Sequence, residues 1–393
     1  MWDSLSAGTT RRSAYGIRQT WPGLNREKVY DMKSYIVEKA ALEHNCRLLL
    51  EKAKGKVVWG VIKGDGYGLG CTELAQLLSA YGIDHFAVTE VAEVRALRDA
   101  GFAENPILMM EGTCDPGEID ELLDLNAIFS VGSELAAQSL NRQALARSTV
   151  AQAHIKIDTG MGRFGFHPEQ MEKIHGLYHA NDAVAFTGIY THFYNAYNLA
   201  DTQKQFDRFQ TVVQELQAAG IETGMVHCCN SVAFWKYEHM HCDAVRLGSA
   251  LLGRVGYGAR AGLKSVGYCR AAVEEIRTLP AGHNVGYAKG FTTTKETRIA
   301  VLGVGYINGF AVDRGFDTWR PIDCLRGVGR YVKAFLKKKA LYVSIGGKQC
   351  KVLGHVGMVN MVVDVTGVEC TVGDWATVSI NPLLLKGMDV EFV

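Results

Sequence analysis

The chain has 393 residues, a length for about two to three domains, or fewer where an α/β barrel absorbs roughly 250 of them. With 48% hydrophobic and 21% charged residues it has the balance of a folded globular chain, not that of a disordered, collagen-like or mainly membrane-embedded one. Lys plus Arg number 42 against 41 for Asp plus Glu, so the net charge is +1 and no global field draws nucleic acid or an acidic bilayer; neither is expected as a partner.

At the N-terminus, Arg11 and Arg12 are followed by Ser-Ala-Tyr-Gly-Ile-Arg, without the apolar run of a secretory or twin-arginine leader. No stretch approaches the roughly 20 apolar residues of a membrane span. Residues 1–30 are taken as an N-terminal extension. The 10 cysteines lack CxxC pairs and the spacing of a zinc site, so free thiols, a cytoplasmic location and no metal are expected.

From about residue 56 to 260, short β-branched runs alternate with segments of helical period, the pattern of a parallel sheet. Eight strands are predicted: Val57–Lys63, His85–Val88, Pro106–Met110, Ala127–Val131, His154–Asp158, Ala185–His192, Met225–Asn230 and Ala244–Gly248. Thr89 is the expected N-cap of the helix carrying Val91, Val94 and Leu97. Eight units predict a closed (β/α)8 barrel over 31–268, of the TIM type. An open doubly wound sheet is disfavoured, because Gly66-Tyr-Gly68-Leu-Gly70 has Cys71 where a dinucleotide fingerprint needs glycine. Beyond 269 the texture becomes mainly β, with strands at Glu296–Val304, Ala340–Ile345, Gln349–Val356, Asn360–Val365 and Ala376–Ser379. Within that second domain, 269–393, an amphipathic helix is predicted around Arg326, Arg330, Lys333 and Lys337. A solvated surface helix is its plain reading, with an anionic surface or RNA as the alternative.

In such a barrel, functional groups collect at C-terminal strand ends. Here those ends carry Lys63 with Tyr67, Lys156 with Arg163, His192, Asn230 with Ser231, and Arg246 with Gly248 and Ser249. A single strand-end lysine is ordinarily a solvated charge. Five strand ends converging on one mouth instead describe an anion cradle beside a lysine suited to Schiff-base chemistry.

The motifs Val61-Ile-Lys63-Gly-Asp65-Gly-Tyr67-Gly, His154-Ile-Lys156-Ile-Asp-Thr-Gly-Met-Gly-Arg163-Phe-Gly, Gly188-Ile-Tyr-Thr-His192, Cys229-Asn230-Ser231, Asp243-Ala-Val-Arg246-Leu-Gly248-Ser249 and Val285-Gly-Tyr287-Ala-Lys-Gly-Phe occur in that order. Over roughly 34–393 the chain resembles the pyridoxal phosphate-dependent alanine racemases. The resemblance implies an isomerase with pyridoxal 5'-phosphate as cofactor, interconverting L- and D-alanine and supplying D-alanine for peptidoglycan. Lys63 would hold the cofactor as a Schiff base and act as one catalytic base, with Tyr287 as the other. Arg246 would bond the pyridine nitrogen, and His192 would link Arg246 to the catalytic tyrosine. Tyr67, Asn230, Ser231, Gly248 and Ser249 would complete the cofactor site; Arg163 and Met358 would bind substrate; Lys156 is the position open to carbamylation. The implied assembly is a head-to-tail homodimer with composite sites.

Two bases also follow from the chemistry, since inversion at Cα removes a proton from one face and returns one to the other, while a general base reaches only about 3 Å. Several positions depart from the family pattern. Leu69 stands where His is usual, Leu247 where Pro is usual, and Gly357 and Val359-Asn360 flank Met358. Phe392 stands where relatives offer a tyrosine, and Asp313 to Lys339 is longer than the usual hairpin. The alternatives are racemisation of another small amino acid, serine first, and a non-catalytic cofactor-binding barrel protein, which would lack the β domain and Tyr287. A related basic-amino-acid decarboxylase is disfavoured by Arg246, because those enzymes place a carboxylate at the ring nitrogen.

Overall fold

The computed structural model describes residues 32–313, 315 and 317–393; the expected extension over 1–30 lies outside the described residues. Two compact units divide the chain, one formed by Val37–Gly267 with Phe392–Val393 and the other by Tyr268–Glu391 with the described residues up to Ile36. The second is discontinuous in sequence, a feature absent from the contiguous division into 31–268 and 269–393. Its first strand, β1 (Lys33–Val37), lies ahead of the barrel in the chain.

The first unit contains a closed barrel of eight parallel strands. These are β2 (Val57–Val61), β3 (His85–Val88), β4 (Ile107–Met109), β5 (Ile128–Val131), β6 (Ala151–Lys156), β7 (Val184–Tyr190), β8 (Met225–His227) and β9 (Ala244–Leu247). The ring closes where β2 pairs with β9, Trp59 opposite Arg246. The strands lie close to their predicted positions, but six of the eight stop short of their predicted ends. Lys63, Asp158, His192, Asn230 and Gly248 have left the ladder and line the loops, which frees their side chains from the sheet's alternation. Trp59, Val61, Ala87, Leu108, Ile128 and Ala244 form one cluster of the barrel core. Phe86 is fully buried on β3, so Phe86→Ala is expected to cost about 3–5 kcal/mol.

Local signals start the outer helices. Asp115 accepts from Glu118 N at 2.9 Å ahead of Pro116–Asp124, with Pro116 in the first turn. Ser133 caps Glu134–Ala146 through Ala136 N. The helix expected behind Thr89 begins instead at Val91, capped by Glu90. Glu93 draws the cap one residue on, by accepting from both Thr89 N and Glu90 N at 2.9 and 3.1 Å.

The second unit is built on an eight-stranded sheet. Besides β1 it contains β10 (Gly267–Leu279), β13 (Thr297–Leu302), β14 (Tyr342–Ile345), β15 (Lys348–Leu353), β16 (Met361–Asp364), β17 (Trp375–Val378) and β18 (Asp389–Phe392). A separate ribbon pairs β11 (Asn284–Val285) with β12 (Phe291–Thr292). The 13-residue β10 serves two neighbours: Cys269–Ala272 pair with β17, and after a bulge between Val273 and Glu275 the strand pairs with β13. The five β strands predicted after residue 295 are present with ends shifted by at most three residues. β1, β10, β18 and the ribbon carried no strong sequence signal. The helix predicted around Arg326 runs Pro321–Leu336.

Candidate active site

The sharpest local geometry lies directly after β2. Ile62 leads into half-buried Lys63, and then Gly64, Asp65, Gly66 and Tyr67 all take left-handed φ, at 64°, 51°, 62° and 58°. Glycine adopts this region freely and aspartate tolerates it, whereas a tyrosine is held there at a cost on the order of 1–2 kcal/mol. The turn is closed by Gly66 N to Ile62 O at 2.8 Å and Gly70 N to Asp65 O at 3.0 Å. Asp65 also accepts from Cys71 N, and its own N–H donates to Glu93 Oε1 at 2.8 Å. Glu93 is buried and holds three backbone donors, tying the Lys63 turn to the exit of β3. Sequence reasoning passed over it; the signal was an acidic residue at the third helical position on the buried stripe with Val94 and Leu97.

The left-handed turn delivers Tyr67 to the end of β9. A β-carbon on Gly248 would overlap the Tyr67 hydroxyl, so glycine is required for the two segments to meet. The Ser231 hydroxyl accepts from Gly248 N and Ala250 N, each at 3.2 Å. Two hydroxyls and the backbone of 248–250, including half-buried Ser249, thus converge on one corner of the barrel mouth. Burial pushes the Tyr67 phenol up to about 12, so it is a neutral hydrogen-bond donor there. Asn230 caps the helix Ser231–Lys236: its Oδ1 accepts from Val232 N and Ala233 N, and its Nδ2 donates to Phe193 O.

Arg246 is buried on β9 and bonded on every terminal N–H. Nη1 donates to His227 Nδ1 at 2.7 Å and His227 O at 3.3 Å; Nη2 donates to Thr191 O at 2.7 Å and Cys228 O at 3.4 Å. The Nε–H is left as its remaining donor. The guanidinium also lies over the Tyr190 ring at 5.0 Å, and Tyr190 stacks on His227 at 4.9 Å. Among the described residues no hydrogen bond joins His192 to Arg246; the histidine bonded to Arg246 is His227, one strand away. His227 in turn meets His154 at 2.9 Å. A period-two reading of β6 could have found His154, since it shares a face with Lys156 two residues on.

Four cations surround the mouth. Burial lowers the His192 pKa to about 3, and Arg246, Lys156, Lys63 and Arg163 push it further in the same direction. Lys156, buried at the end of β6, is lowered to about 8 by burial, opposed by Glu111 and reinforced by Arg163, Arg246 and Lys63. Its ammonium lies over the rings of Phe164 and Tyr190 at 5.2 and 5.5 Å. Arg163 is exposed on a loop whose turn is pinned by the Asp158 carboxylate, which accepts from Gly160 N and Gly162 N. Lys63, Tyr67, Lys156, Arg163, His192, Ser231, Arg246, Gly248 and Ser249 therefore belong to one unit and one end of its barrel.

Tyr287 and Met358 belong to the other unit. Tyr287 is 74% exposed on the turn between β11 and β12, where Ala288 and Lys289 are held at positive φ of 54° and 51°. Non-glycine residues rarely accept that conformation, and here it turns the tyrosine outward. Met358 is exposed beside Tyr306, whose N–H donates to Gly357 O while Ile307 N donates to Met358 O. Tyr306, exposed too, was not singled out from the sequence. Phe392 is half-buried at the end of β18, and the next residue, Val393, bonds to Val37 O and Lys39 N.

Comparison with known proteins agrees with this construction. The family model "Alanine racemase, N-terminal domain" matches residues 37–255, and "Alanine racemase, C-terminal domain" matches 266–383. An alanine racemase of Carboxydothermus hydrogenoformans is 34% identical over 75% of this chain and 77% of its own. Alanine racemase 1 of Caldanaerobacter subterraneus subsp. tengcongensis is 30% identical over 84% of this chain and 80% of its own. Among solved structures, an alanine racemase of Clostridium difficile 630 superposes with a TM-score of 0.79 at 25% identity, covering 93% of this chain and 97% of that one. With a barrel and a β domain both matched over most of their length, the chain belongs to the alanine racemase family.

Proposed function

We propose that this protein is a pyridoxal phosphate-dependent racemase interconverting L- and D-alanine, working as a homodimer with composite sites. The observation that carries the reading is the gathering of Lys63, Lys156, Arg163 and Arg246 around His192, beside the hydroxyl-and-amide corner of Tyr67, Ser231 and Gly248. That corner fits a phosphate, because the Tyr67 and Ser231 hydroxyls offer neutral donors beside the 248–250 backbone, and glycine at 248 lets the Tyr67 hydroxyl come that close. Tyr67, Ser231, Gly248 and Ser249 would hold the phosphate, Lys63 the aldehyde carbon and Arg246 the ring nitrogen. When bound, pyridoxal phosphate supplies an electron-accepting ring that acidifies the substrate Cα–H bond.

The protein's own part is to place proton carriers and to limit that acidification. Arg246 stays a protonated guanidinium, so it donates a hydrogen bond to a ring nitrogen without giving up the proton, which a carboxylic acid can pass on. Its rigid seat between His227 and Thr191 O fixes that donor without a titrating neighbour, since burial and Arg246 itself hold His227 neutral. Lys63 serves one face of Cα. Tyr287 of the partner subunit serves the other, which agrees with its exposure on a strained turn within its own unit. Arg163 would receive the substrate carboxylate, and Lys156, with a neutral amine accessible near pH 8, suits carbamylation. The free thiols of all 10 cysteines support a cytoplasmic location, and no helix of the described residues is long and apolar enough to cross a membrane. Production of D-alanine for peptidoglycan is the corresponding cellular role.

Purified protein reconstituted with pyridoxal phosphate should racemise alanine faster than any other amino acid of a panel, and serine turnover exceeding alanine would replace the substrate assignment. Tyr287→Phe should retain visible cofactor absorbance, while Cα exchange in D2O survives better from D-alanine than from L-alanine. A tenfold difference corresponds to about 1.4 kcal/mol of barrier. Equal residual exchange from the two enantiomers would mean that one base or a water serves both faces.

A further inference from the structure

We infer that the helix Pro321–Leu336 is a peripheral docking surface for an anionic lipid bilayer, a binding surface separate from the racemase site. At about 100° per residue, Ile322, Leu325, Val328, Val332, Phe335 and Leu336 fall within one arc of roughly half the circumference. Arg326, Arg330, Lys333 and Lys337 fill a separate arc beside it. The apolar arc is not the side turned towards protein. Phe335 is 82% exposed, Leu336 73% and Leu325 68%, while the only buried residue of the helix is Gly327, with Asp323 and Ala334 half-buried on the same side. Small residues thus face inward, and the large apolar side chains face water, the reverse of a helix that contributes to a core. Trp319, 74% exposed just before the helix, adds an amphipathic ring of the kind that favours a headgroup boundary.

Charge decides among the candidates for covering this face. Residues 320–339 hold seven cations, Arg320, Arg326, Arg330, Lys333 and Lys337–Lys339, and one acid, Asp323. A second copy would bring the same cations to a two-fold contact. The 31 residues that precede the described part carry five cations and three acids, again the wrong sign. A polyanion such as RNA would satisfy the cations but leave the apolar arc wet. An anionic bilayer satisfies both arcs at once, with the aliphatic and aromatic side chains between acyl chains and the Lys and Arg heads among phosphates. The near-zero net charge of the whole chain hides this local excess, and so did the sequence-level expectation that no membrane is a partner.

Co-sedimentation of the intact holoenzyme with vesicles of phosphatidylglycerol and phosphatidylcholine, against phosphatidylcholine alone, tests the inference. Binding to the anionic vesicles should be stronger by at least about tenfold and should fall with added salt. The Leu325→Glu, Phe335→Glu pair should abolish it with soluble racemase activity unchanged, and Arg326→Glu with Lys333→Glu should remove the preference for anionic lipid. Three results would each overturn the proposal. Wild-type protein left in the supernatant with both vesicles is the first. Loss of oligomeric mass by the Leu325→Glu, Phe335→Glu protein in sedimentation is the second, and assigns the face to a second copy. Retention on homopolymer RNA that competes with vesicles and survives the apolar substitutions would assign the face to nucleic acid.

Discussion

Arg246 Nη1 donates to His227 Nδ1 at 2.7 Å, inside the barrel and out of contact with water. Because a guanidinium has no acceptor, this bond fixes the tautomer of His227: Nδ1 carries the lone pair, Nε2 carries the proton, and Nε2–H donates to His154 Nδ1. The chain of three side chains is complete only with both imidazoles neutral, as burial and the Arg246 charge enforce. His227→Leu is expected to lower stability by about 1–3 kcal/mol, because it strands a buried charged donor. His227→Gln, which keeps an acceptor, should recover part of the loss. Denaturant midpoints of the two variants, measured with activity, check this; equal stability of His227→Leu and wild type would show that the bond is dispensable.

Glu93 accepts three backbone N–H groups while buried, and one of them belongs to Asp65 in the Lys63 turn. Hydrogen bonds to a charged acceptor contribute about 1.5–3 kcal/mol each at most, and not additively. Glu93→Ala should therefore destabilise the barrel by about 3 kcal/mol or more and also weaken retention of the cofactor, since the turn loses its anchor. Urea unfolding and equilibrium dialysis against pyridoxal phosphate give the two readings. A variant with a shifted midpoint and unaltered cofactor affinity would confine Glu93 to a role in folding alone.

Lys156 has a direct signature in pH. Its pKa falls from the ordinary lysine value to about 8 in the folded protein, so between about pH 8 and 10.5 the unfolded chain binds more protons than the folded one. Stability contributed by this group therefore rises with pH across that window, and below it the folded state carries a buried ammonium at a cost on the order of 3 kcal/mol. Lys156→Met should flatten the rise and stabilise the protein at neutral pH. Thermal melts of both proteins from pH 7 to 10, about the span between the two states, are the measurement. Labelled bicarbonate should also give a carbamate carbon resonance in the wild type that Lys156→Met lacks. If that resonance persists in the variant, the carbamylated residue lies elsewhere.

The proposed composite sites predict complementation. Lys63→Ala and Tyr287→Phe proteins, each inactive, should regain activity when mixed under conditions of subunit exchange. A hybrid dimer then holds one site with both native bases and one with neither. Mass spectrometry of the mixture establishes that exchange has occurred. Hybrids without activity would place Lys63 and Tyr287 of one site in the same chain.

Much of the site was legible because the chemistry sits where strands end. Lys63 ends a short apolar run, and Lys63, Lys156, Arg163, Ser231 and Arg246 all occur in the quoted motifs at or just past strand ends, so neither barrel closure nor packing was needed to find them. Local signals likewise set the eight-strand alternation, the caps at Asp115 and Ser133 and the amphipathic period of Pro321–Leu336. Tertiary structure decided which residues meet. His227 and His154 are 73 positions apart and touch because parallel strands wind into a closed ring; Glu93, 28 positions from Asp65, reaches the Lys63 turn because β2 and β3 pair side by side. β1 is a strand because β10 and β18, both more than 225 residues later, flank it in the sheet; beside that pairing Ala272 N donates to Met32 O and Arg270 Nε to Ser34 Oγ. The exposed face of Pro321–Leu336 makes the same distinction. Periodicity gives two faces to a helix, whereas which of them is left in water depends on what the rest of the chain brings against it.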